Sequence, residues 1–208
     1  MQALRVSATD IDAVRRFYDE EDADLADLIR QLRHLMPSTD AMEAGTALHK
    51  ALEYAEPGDH SGFVTPDGFT FSFETEAEID LPAIREMKAT REYIVDDVRV
   101  TLVGKVDALH GKRIDDHKFT ARFDADRYLD SYQWRIYLEI FGADHFRWNI
   151  FEALESAPRN YLIRNVHALD MHRYPGIGED VEREVRAFVT FAKDHLPERF
   201  MPAERVAA

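Results

Sequence analysis

Asp107, Asp116 and Lys118 are the residues of this chain whose types and spacing are best suited to chemistry. They lie in a segment, residues 98–119, that alternates apolar and polar side chains and is interrupted by His110-Gly111, a pattern that predicts a β-hairpin. Two neighbouring carboxylates can bind a hard divalent cation, and an ammonium group beside them supplies positive charge. The segment therefore suggests a site for Mg²⁺ or Mn²⁺.

The register of this hairpin decides whether the three groups meet. With His110-Gly111 as a two-residue turn, Asp107 pairs with Ile114. Because strand side chains alternate between faces, Asp116 and Lys118 then share a face with Asp107, and the two carboxylates become diagonal neighbours roughly 7–8 Å apart at their backbones. The same register places Lys105 opposite Asp116, so an ordinary cross-strand ion pair is an alternative interpretation.

Helices and strands alternate along the chain in an order that would place this hairpin in a central sheet. Apolar residues at three- and four-residue spacing predict helices near 8–17, 25–35, 40–55, 81–90, 128–140 and 181–192. Alternation predicts a small peripheral hairpin at 63–73 and strands at 93–95, 98–109, 113–119, 146–151 and 161–166. We expect one α/β (α+β) domain, with N-terminal helices at 1–38, a catalytic core at 39–170, and a C-terminal helix and tail at 175–208.

Composition narrows the classes of function. The 208 residues include 45% hydrophobic and 32% charged residues, as in globular proteins. The chain contains no cysteine, so disulfides, thiolate zinc sites, cysteine nucleophiles and iron–sulfur clusters are excluded. Any metal must bind oxygen or imidazole ligands. The absence of a long apolar stretch and of a signal-peptide pattern predicts a cytoplasmic protein that does not bind membranes.

Four short motifs, in this order, carry a resemblance to a known family. They are Gly45-Thr46-Ala47-Leu48-His49, Gly104-Lys105-Val106-Asp107, Asp116-His117-Lys118 and Gln133-Trp134-Arg135-Ile136-Tyr137. Their order and the elements that carry them are similar to RecB-type nucleases of the PD-(D/E)XK superfamily, from about Ser7 to the final helix. The resemblance implies a restriction-endonuclease-like core, in which a helix, three antiparallel strands, a helix and a strand build a mixed sheet flanked by helices.

The resemblance also implies a role for each matching residue. Asp107 and Asp116 match the metal-binding acids, His49 matches a histidine that completes the metal shell, and the backbone carbonyl of His117 matches a further ligand. Lys118 matches the lysine that orients and helps deprotonate the attacking water or stabilises charge on the phosphate.

The helix that follows the hairpin carries the fourth motif. Gln133 and Tyr137 lie four residues apart on one helix face and match a motif that contacts DNA beside the site. Tyr137 also belongs to the apolar series of its helix, so a core position is an alternative for its side chain.

The family interpretation predicts a stand-alone, Mg²⁺- or Mn²⁺-dependent deoxyribonuclease, expected to be an exonuclease, without an iron–sulfur cluster. Its partners would be a DNA substrate and a recombinase, helicase or single-strand-binding protein. The alternative is a non-catalytic nucleic-acid-binding or assembly module on the same fold. The complete set of two acids and a lysine favours the enzyme.

The net charge of −14 argues against broad wrapping of nucleic acid. The charge is nevertheless unevenly distributed, because residues 98–122 contain six Lys and Arg against three Asp. A divalent cation bound by these acids would make the local surface positive enough to accept a phosphate backbone.

Overall fold

The computed structural model describes the backbone of residues 1–202, and their side chains except those of 59, 75–78, 201 and 202. Residues 203–208 of the predicted C-terminal tail lie outside the described residues. The elements, in chain order, are β1 (Gln2–Ser7), α1 (Ala8–Asp19), α2 (Leu25–Leu32), α3 (Asp40–Tyr54), β2 (Gly58–Val64), β3 (Thr70–Ile79), β4 (Ile84–Val95), β5 (Val98–His110), β6 (Arg113–Thr120), α4 (Ala125–Asp130), α5 (Gln133–Phe141), β7 (His145–Ala157), β8 (Asn160–His172), α6 (Ile177–His195), a 3-10 turn (Pro197–Arg199) and β9 (Met201–Pro202).

The strands form one mixed sheet in the order β2-β3-β8-β7-β6-β5-β1-β9, and β4 pairs with β5 outside this path. The pairs β1/β5, β3/β8 and β6/β7 are parallel, and the other pairs are antiparallel. The prediction of a mixed central sheet flanked by helices is confirmed. None of the helices in residues 1–202 is long and apolar enough to cross a membrane.

The middle strand β5 has three partners on only two edges. β4 pairs with β5 over nearly its whole length, from Val98 to Leu109. On the other edge, β1 pairs with residues 98–103 and β6 pairs with residues 108–110. Residues 104–107 therefore have no strand partner on this edge, and the sheet opens there between β1 and β6.

The helices bury two apolar clusters. The larger one contains side chains of α1, α2, α5 and α6 packed on β1, β5, β6 and β7, with Trp148 and Phe146 among its fully buried members. The smaller one packs α3 through Ala44, Leu48 and Leu52 on the hairpin β2–β3 and on β8. These two clusters hold α3 and α5 in place near the opening.

Several sequence predictions of helix boundaries are confirmed by their caps. Ser7 and Asp10 form a capping box at the start of α1, and Thr39 caps α3 by accepting a hydrogen bond from the backbone N–H of Met42. The predicted helix at 128–140 is split into α4 and α5 at Ser131.

Two predictions about strands were wrong, and a third was confirmed. The segment 81–90 is rich in good helix formers, but Ile84–Val95 is a strand, because its ladder with β5 outweighs local propensity. The strand β1 lies in the segment for which only helices were predicted, and it pairs with β5 of the predicted catalytic core. The predicted peripheral hairpin at 63–73 is confirmed as β2–β3 at one edge of the sheet, which β3 joins through β8.

The predicted register of the central hairpin was also wrong, by two residues. The observed pairs are His110 with Arg113, Leu109 with Ile114, and Ala108 with Asp115, so Gly111 and Lys112 form the turn. Gly111 has a φ of +63°, a left-handed conformation that glycine adopts without a Cβ penalty. A two-residue shift preserves the alternation of faces, and the next position along the hairpin sets Asp107 opposite Asp116.

Candidate active site

A cleft of about 900 Å³ lies where the sheet opens, between α3 and the strands β5 and β6. His49 of α3, Asp107 of β5 and Lys118 of β6 line it, together with Thr9 at the start of α1. The opening between the strands thus brings side chains from four elements to one place.

Asp107 occupies the point where the β5–β6 ladder has ended. Its Oδ2 accepts a hydrogen bond of 2.7 Å from the backbone N–H of His117, and its Oδ1 lies 3.4 Å from Nδ1 of His49. The Asp107 side chain is 15% exposed, so it can still be reached from the cleft. The Asp107 carboxylate therefore links β5 to both β6 and α3.

Asp116 and Lys118 form a close ion pair next to this carboxylate. Oδ2 of Asp116 lies 2.5 Å from Nζ of Lys118, without the alignment of a hydrogen bond. The Asp116 side chain is buried, and Nζ of Lys118 lies 5.0 Å from the centre of the Trp148 ring. The alternative interpretation, an ion pair between Lys105 and Asp116, was wrong, because Lys105 pairs with Glu86 instead.

Burial and mutual charge shift the pKa values of these groups in different directions. Burial raises the pKa of Asp116 to about 6. Burial opposes the ionisation of Asp107 as well, but the hydrogen bond and charge of His49 outweigh it and hold the pKa of Asp107 well below its usual value. Burial also opposes the charge of Lys118, yet the nearby Asp116 and Asp107 raise its pKa, so Lys118 is an ammonium ion at neutral pH.

The two histidines differ in their protonation. Although burial works against its charge, the partner Asp107 raises the pKa of His49 above 6.5. Burial lowers the pKa of His117 to about 4, so its ring is neutral at pH 7. The His117 ring lies 5.9 Å from that of Phe151 and 6.2 Å from that of His49. In a strand, the N–H and C=O of one residue point to the same side, so the His117 carbonyl faces the opening as its N–H does.

The side chains of His49, Asp107 and Asp116 are of the types that bind a hard divalent cation, although they form ion pairs and hydrogen bonds with neighbouring groups. Within the described residues, no three His, Asp or Glu side chains are gathered closely enough to hold an ion as they stand. Asp116 is nevertheless a buried carboxylate whose Oδ2 is paired with Lys118, and Asp107 is reachable from the cleft. Carboxylate oxygens, a carbonyl oxygen and one imidazole are ligands that Mg²⁺ or Mn²⁺ accepts. The residues therefore fit such an ion once Asp116 exchanges Lys118 for it.

Gln133 and Tyr137 occupy different environments. Gln133, the first residue of α5, lines a cavity of about 140 Å³ together with Lys118. Tyr137 is 6% exposed and stacks on Phe146 in the larger apolar cluster, where burial raises the pKa of its hydroxyl well above 10. The structure thus brings Gln133, and not the Tyr137 ring, to the rim of the site.

Two acidic residues lie near the site although no motif in the sequence predicts a role for them. Glu86 lies on β4 opposite Asp107 and lines the cleft, with a φ of +55° that is unusual for a residue other than glycine. Asp12 of α1 is buried and contacts Gln133 through a hydrogen bond of 3.4 Å. Neither residue belongs to a recognisable motif, and only the fold brings them to the site.

Comparisons with known proteins identify structures that share the fold, but they identify no family. No model of a known protein family matches the chain, and no curated protein matches it. The crystal structure of SSO0001 superposes with a TM-score of 0.51 and 16% identity, covering 90% of this chain and 76% of that one. A provisionally named exonuclease from Eubacterium rectale gives a TM-score of 0.53 and 13% identity over 97% and 85% of the two chains. The chain shares its fold with these two structures.

A third structure is more distant. The alkaline exonuclease LHK-Exo from Laribacter hongkongensis superposes with a TM-score of 0.35 and 16% identity, over 91% of this chain and 88% of that one.

Proposed function

We propose that this protein is a Mg²⁺- or Mn²⁺-dependent deoxyribonuclease of the RecB-like PD-(D/E)XK type, and that it acts as an exonuclease. The observation that carries the proposal is the convergence of Asp107, Asp116 and Lys118 at one opening in the sheet, with His49 next to Asp107. A fold shared with a provisionally named exonuclease supports the same proposal.

In this mechanism, Asp107, Asp116, His49 and the His117 carbonyl would hold the cation. The bound ion supplies Lewis-acid polarisation of the phosphodiester and neutralises part of its charge. Water attacks phosphorus, one P–O ester bond breaks, and the leaving oxygen takes up a proton.

In this reaction Lys118 stabilises negative charge and does not act as a general base. In the metal-free protein, Asp116 and Asp107 raise the pKa of Lys118, which therefore carries an ammonium group there. It can orient the water through a hydrogen bond and offset the negative charge that develops on the phosphoryl oxygens. Of the two roles that the family resemblance implies for this lysine, stabilisation of charge is therefore the one we propose.

The non-catalytic binding module remains the second candidate function, and one experiment separates the two. Wild-type protein is incubated with end-labelled linear DNA and closed circular DNA, with Mg²⁺, with Mn²⁺ or with EDTA. An exonuclease degrades linear DNA only, and only with the metal. A protein that binds DNA but cuts neither form under any of these conditions would be a binding module.

Lys118→Ala tests the proposed mechanism in the same assay. Since Lys118 acts on charge that is larger in the transition state, we expect turnover to fall by roughly 10²–10³-fold while DNA affinity changes little. Lys193→Ala is the matched control, because Lys193 of α6 lies near Asp96 and Asp97, away from the cleft, and its loss should leave turnover unchanged. Equal turnover in the two variants would contradict the role of Lys118.

A further inference from the structure

Asp12 is a buried carboxylate of α1 that faces the start of α5, next to the cleft. Its Oδ1 accepts hydrogen bonds from the backbone N–H of Tyr132 at 2.6 Å and from the hydroxyl of Ser131 at 3.2 Å. Its Oδ2 lies 3.4 Å from Nε2 of Gln133 and 3.4 Å from Nε of Arg16. Three hydrogen bonds and one ion pair thus occupy this carboxylate.

This contact fixes the orientation of the Gln133 side chain. An ionised carboxylate only accepts hydrogen bonds, so the NH₂ group of Gln133 must face Asp12 and its amide oxygen must point elsewhere. Oε1 of Gln133 is buried and has no hydrogen-bond partner among the described residues. A buried acceptor without a partner is costly, so a molecule that donated a hydrogen bond to Oε1 would gain affinity.

The missing donor can come from a molecule in the adjacent cavity. Gln133 lines this cavity of about 140 Å³ together with Lys118, Arg16 and Arg127. A phosphate group has only acceptor oxygens and would suit the cationic walls, but it cannot satisfy a carbonyl oxygen. The donors that a nucleic acid offers are sugar hydroxyls and the N–H groups of bases.

We propose that Asp12 is a positioning residue which holds Gln133 so that Oε1 accepts a hydrogen bond from a hydroxyl or a base N–H of the substrate. Gln133 thereby reads a donor on the nucleotide next to the scissile phosphate and does not bind the phosphate itself. This inference rests on the proposed nuclease function, and it assigns to the N-terminal segment a part in substrate recognition.

Matched oligonucleotides test the inference and distinguish the two sources of the donor. One pair differs only in a 3′-hydroxyl or a 3′-deoxy terminus, and a second pair carries a normal or an abasic terminal nucleotide. In one of the two pairs, wild-type protein should prefer the substrate with the donor by about tenfold in kcat/KM, as expected for one hydrogen bond. Gln133→Leu should lower this ratio to about one.

Asp12→Asn separates positioning from mere structural support. Asparagine keeps an oxygen for the Tyr132 N–H, so the start of α5 stays capped, but its NH₂ group allows the Gln133 amide to turn round. We therefore expect Asp12→Asn to keep the fold, by circular dichroism, and to lose the preference. Asp24→Asn is the control, because Asp24 caps α2 through the N–H groups of Ala26 and Asp27, and it should keep the preference.

Two results would overturn the inference: a wild-type protein with no preference in either pair, or an Asp12→Asn variant that keeps the preference. If the wild-type protein binds DNA without cutting it, the nuclease proposal fails separately. The same ratios are then measured as dissociation constants by fluorescence anisotropy, where a wild-type ratio near one would overturn this inference as well.

Discussion

At the scale of the residue, Asp116 is the carboxylate of the site whose ionisation burial opposes without full compensation by its neighbours. It is a buried carboxylate with Lys118 as its close partner, and burial raises its pKa to about 6. A cation that replaces Lys118 would relieve this conflict, because it binds the ionised form.

The first prediction concerns metal binding as a function of pH. Below about pH 6 Asp116 takes up a proton, so Mg²⁺ or Mn²⁺ must compete with it. We expect the increase in melting temperature caused by 10-fold excess metal over its dissociation constant at pH 8 to shrink steadily at pH 7, 6 and 5. Asp116→Asn should show no such increase at any pH, and a metal-induced increase that is the same at pH 5 and pH 8 would contradict the assignment.

The second prediction concerns the stability of the metal-free protein. The folded-state pKa of Asp116 lies above its ordinary value of 3.8, so its contribution to stability is fully present below about pH 4 and is lost as the pH rises through about 6. Asp116→Asn removes this loss. Relative to wild type, its free energy of unfolding should rise by on the order of 1–3 kcal/mol between pH 4 and pH 8 in urea titrations with EDTA. A constant difference across this range would show that Asp116 is not held in its neutral form.

At the scale of the element, the site depends on a close approach between β5 and α5. Gly104 faces this helix, and a Cβ there would lie 3.0 Å from Cδ1 of Ile140 and 3.1 Å from atoms of Phe141 and Tyr137. The helix α5, which carries the fourth motif, can therefore pack this closely on the sheet because residue 104 has no side chain.

The third prediction follows from this contact. Gly104→Ala should destabilise the protein by about 1–3 kcal/mol, because the added methyl group overfills a packed interface. Gly45→Ala is the matched control within α3, where a Cβ would lie 3.7 Å from Cβ of Phe119, an ordinary contact. There the change should stabilise by about 0.5–1 kcal/mol through helix propensity. Chemical unfolding of both variants measures the difference, and equal effects would refute the packing argument.

At the scale of the whole molecule, the proposed function requires that a chain with a net charge of −14 accept a polyanion at one cleft. Lys50, Lys105 and Lys118 line this cleft, but Lys105 and Lys118 are engaged with Glu86 and Asp116. The number of phosphate contacts made by these lysines is therefore small, and binding depends on the cation that the acids would hold.

The fourth prediction concerns how the dissociation constant for DNA depends on salt concentration. We expect log Kd for DNA to change with log salt concentration with a slope corresponding to about three phosphate contacts or fewer. Lys50→Ala should lower this slope by about one unit with little change in kcat, since Lys50 is exposed on α3. Lys193→Ala should leave the slope unchanged. A steep slope, typical of extended wrapping, would contradict a single-cleft binding mode.

The sequence by itself determined where α1 and α3 begin, most of the amphipathic helices and the mixed sheet, because these depend on local periodicity and short motifs. It also predicted that Asp107 lies on the same face of the hairpin as Asp116 and Lys118, and an error of two residues in register preserves this alternation.

Only the tertiary structure decided that Ile84–Val95 is a strand, because its neighbour β5 overrides the propensity of its residues. It also decided that β1 and β6 share one edge of β5, which creates the opening at Asp107. The tertiary structure alone likewise brings Asp12 and Glu86 beside the site. Such contacts join residues far apart in the chain, and no local pattern encodes the pairing that brings them together.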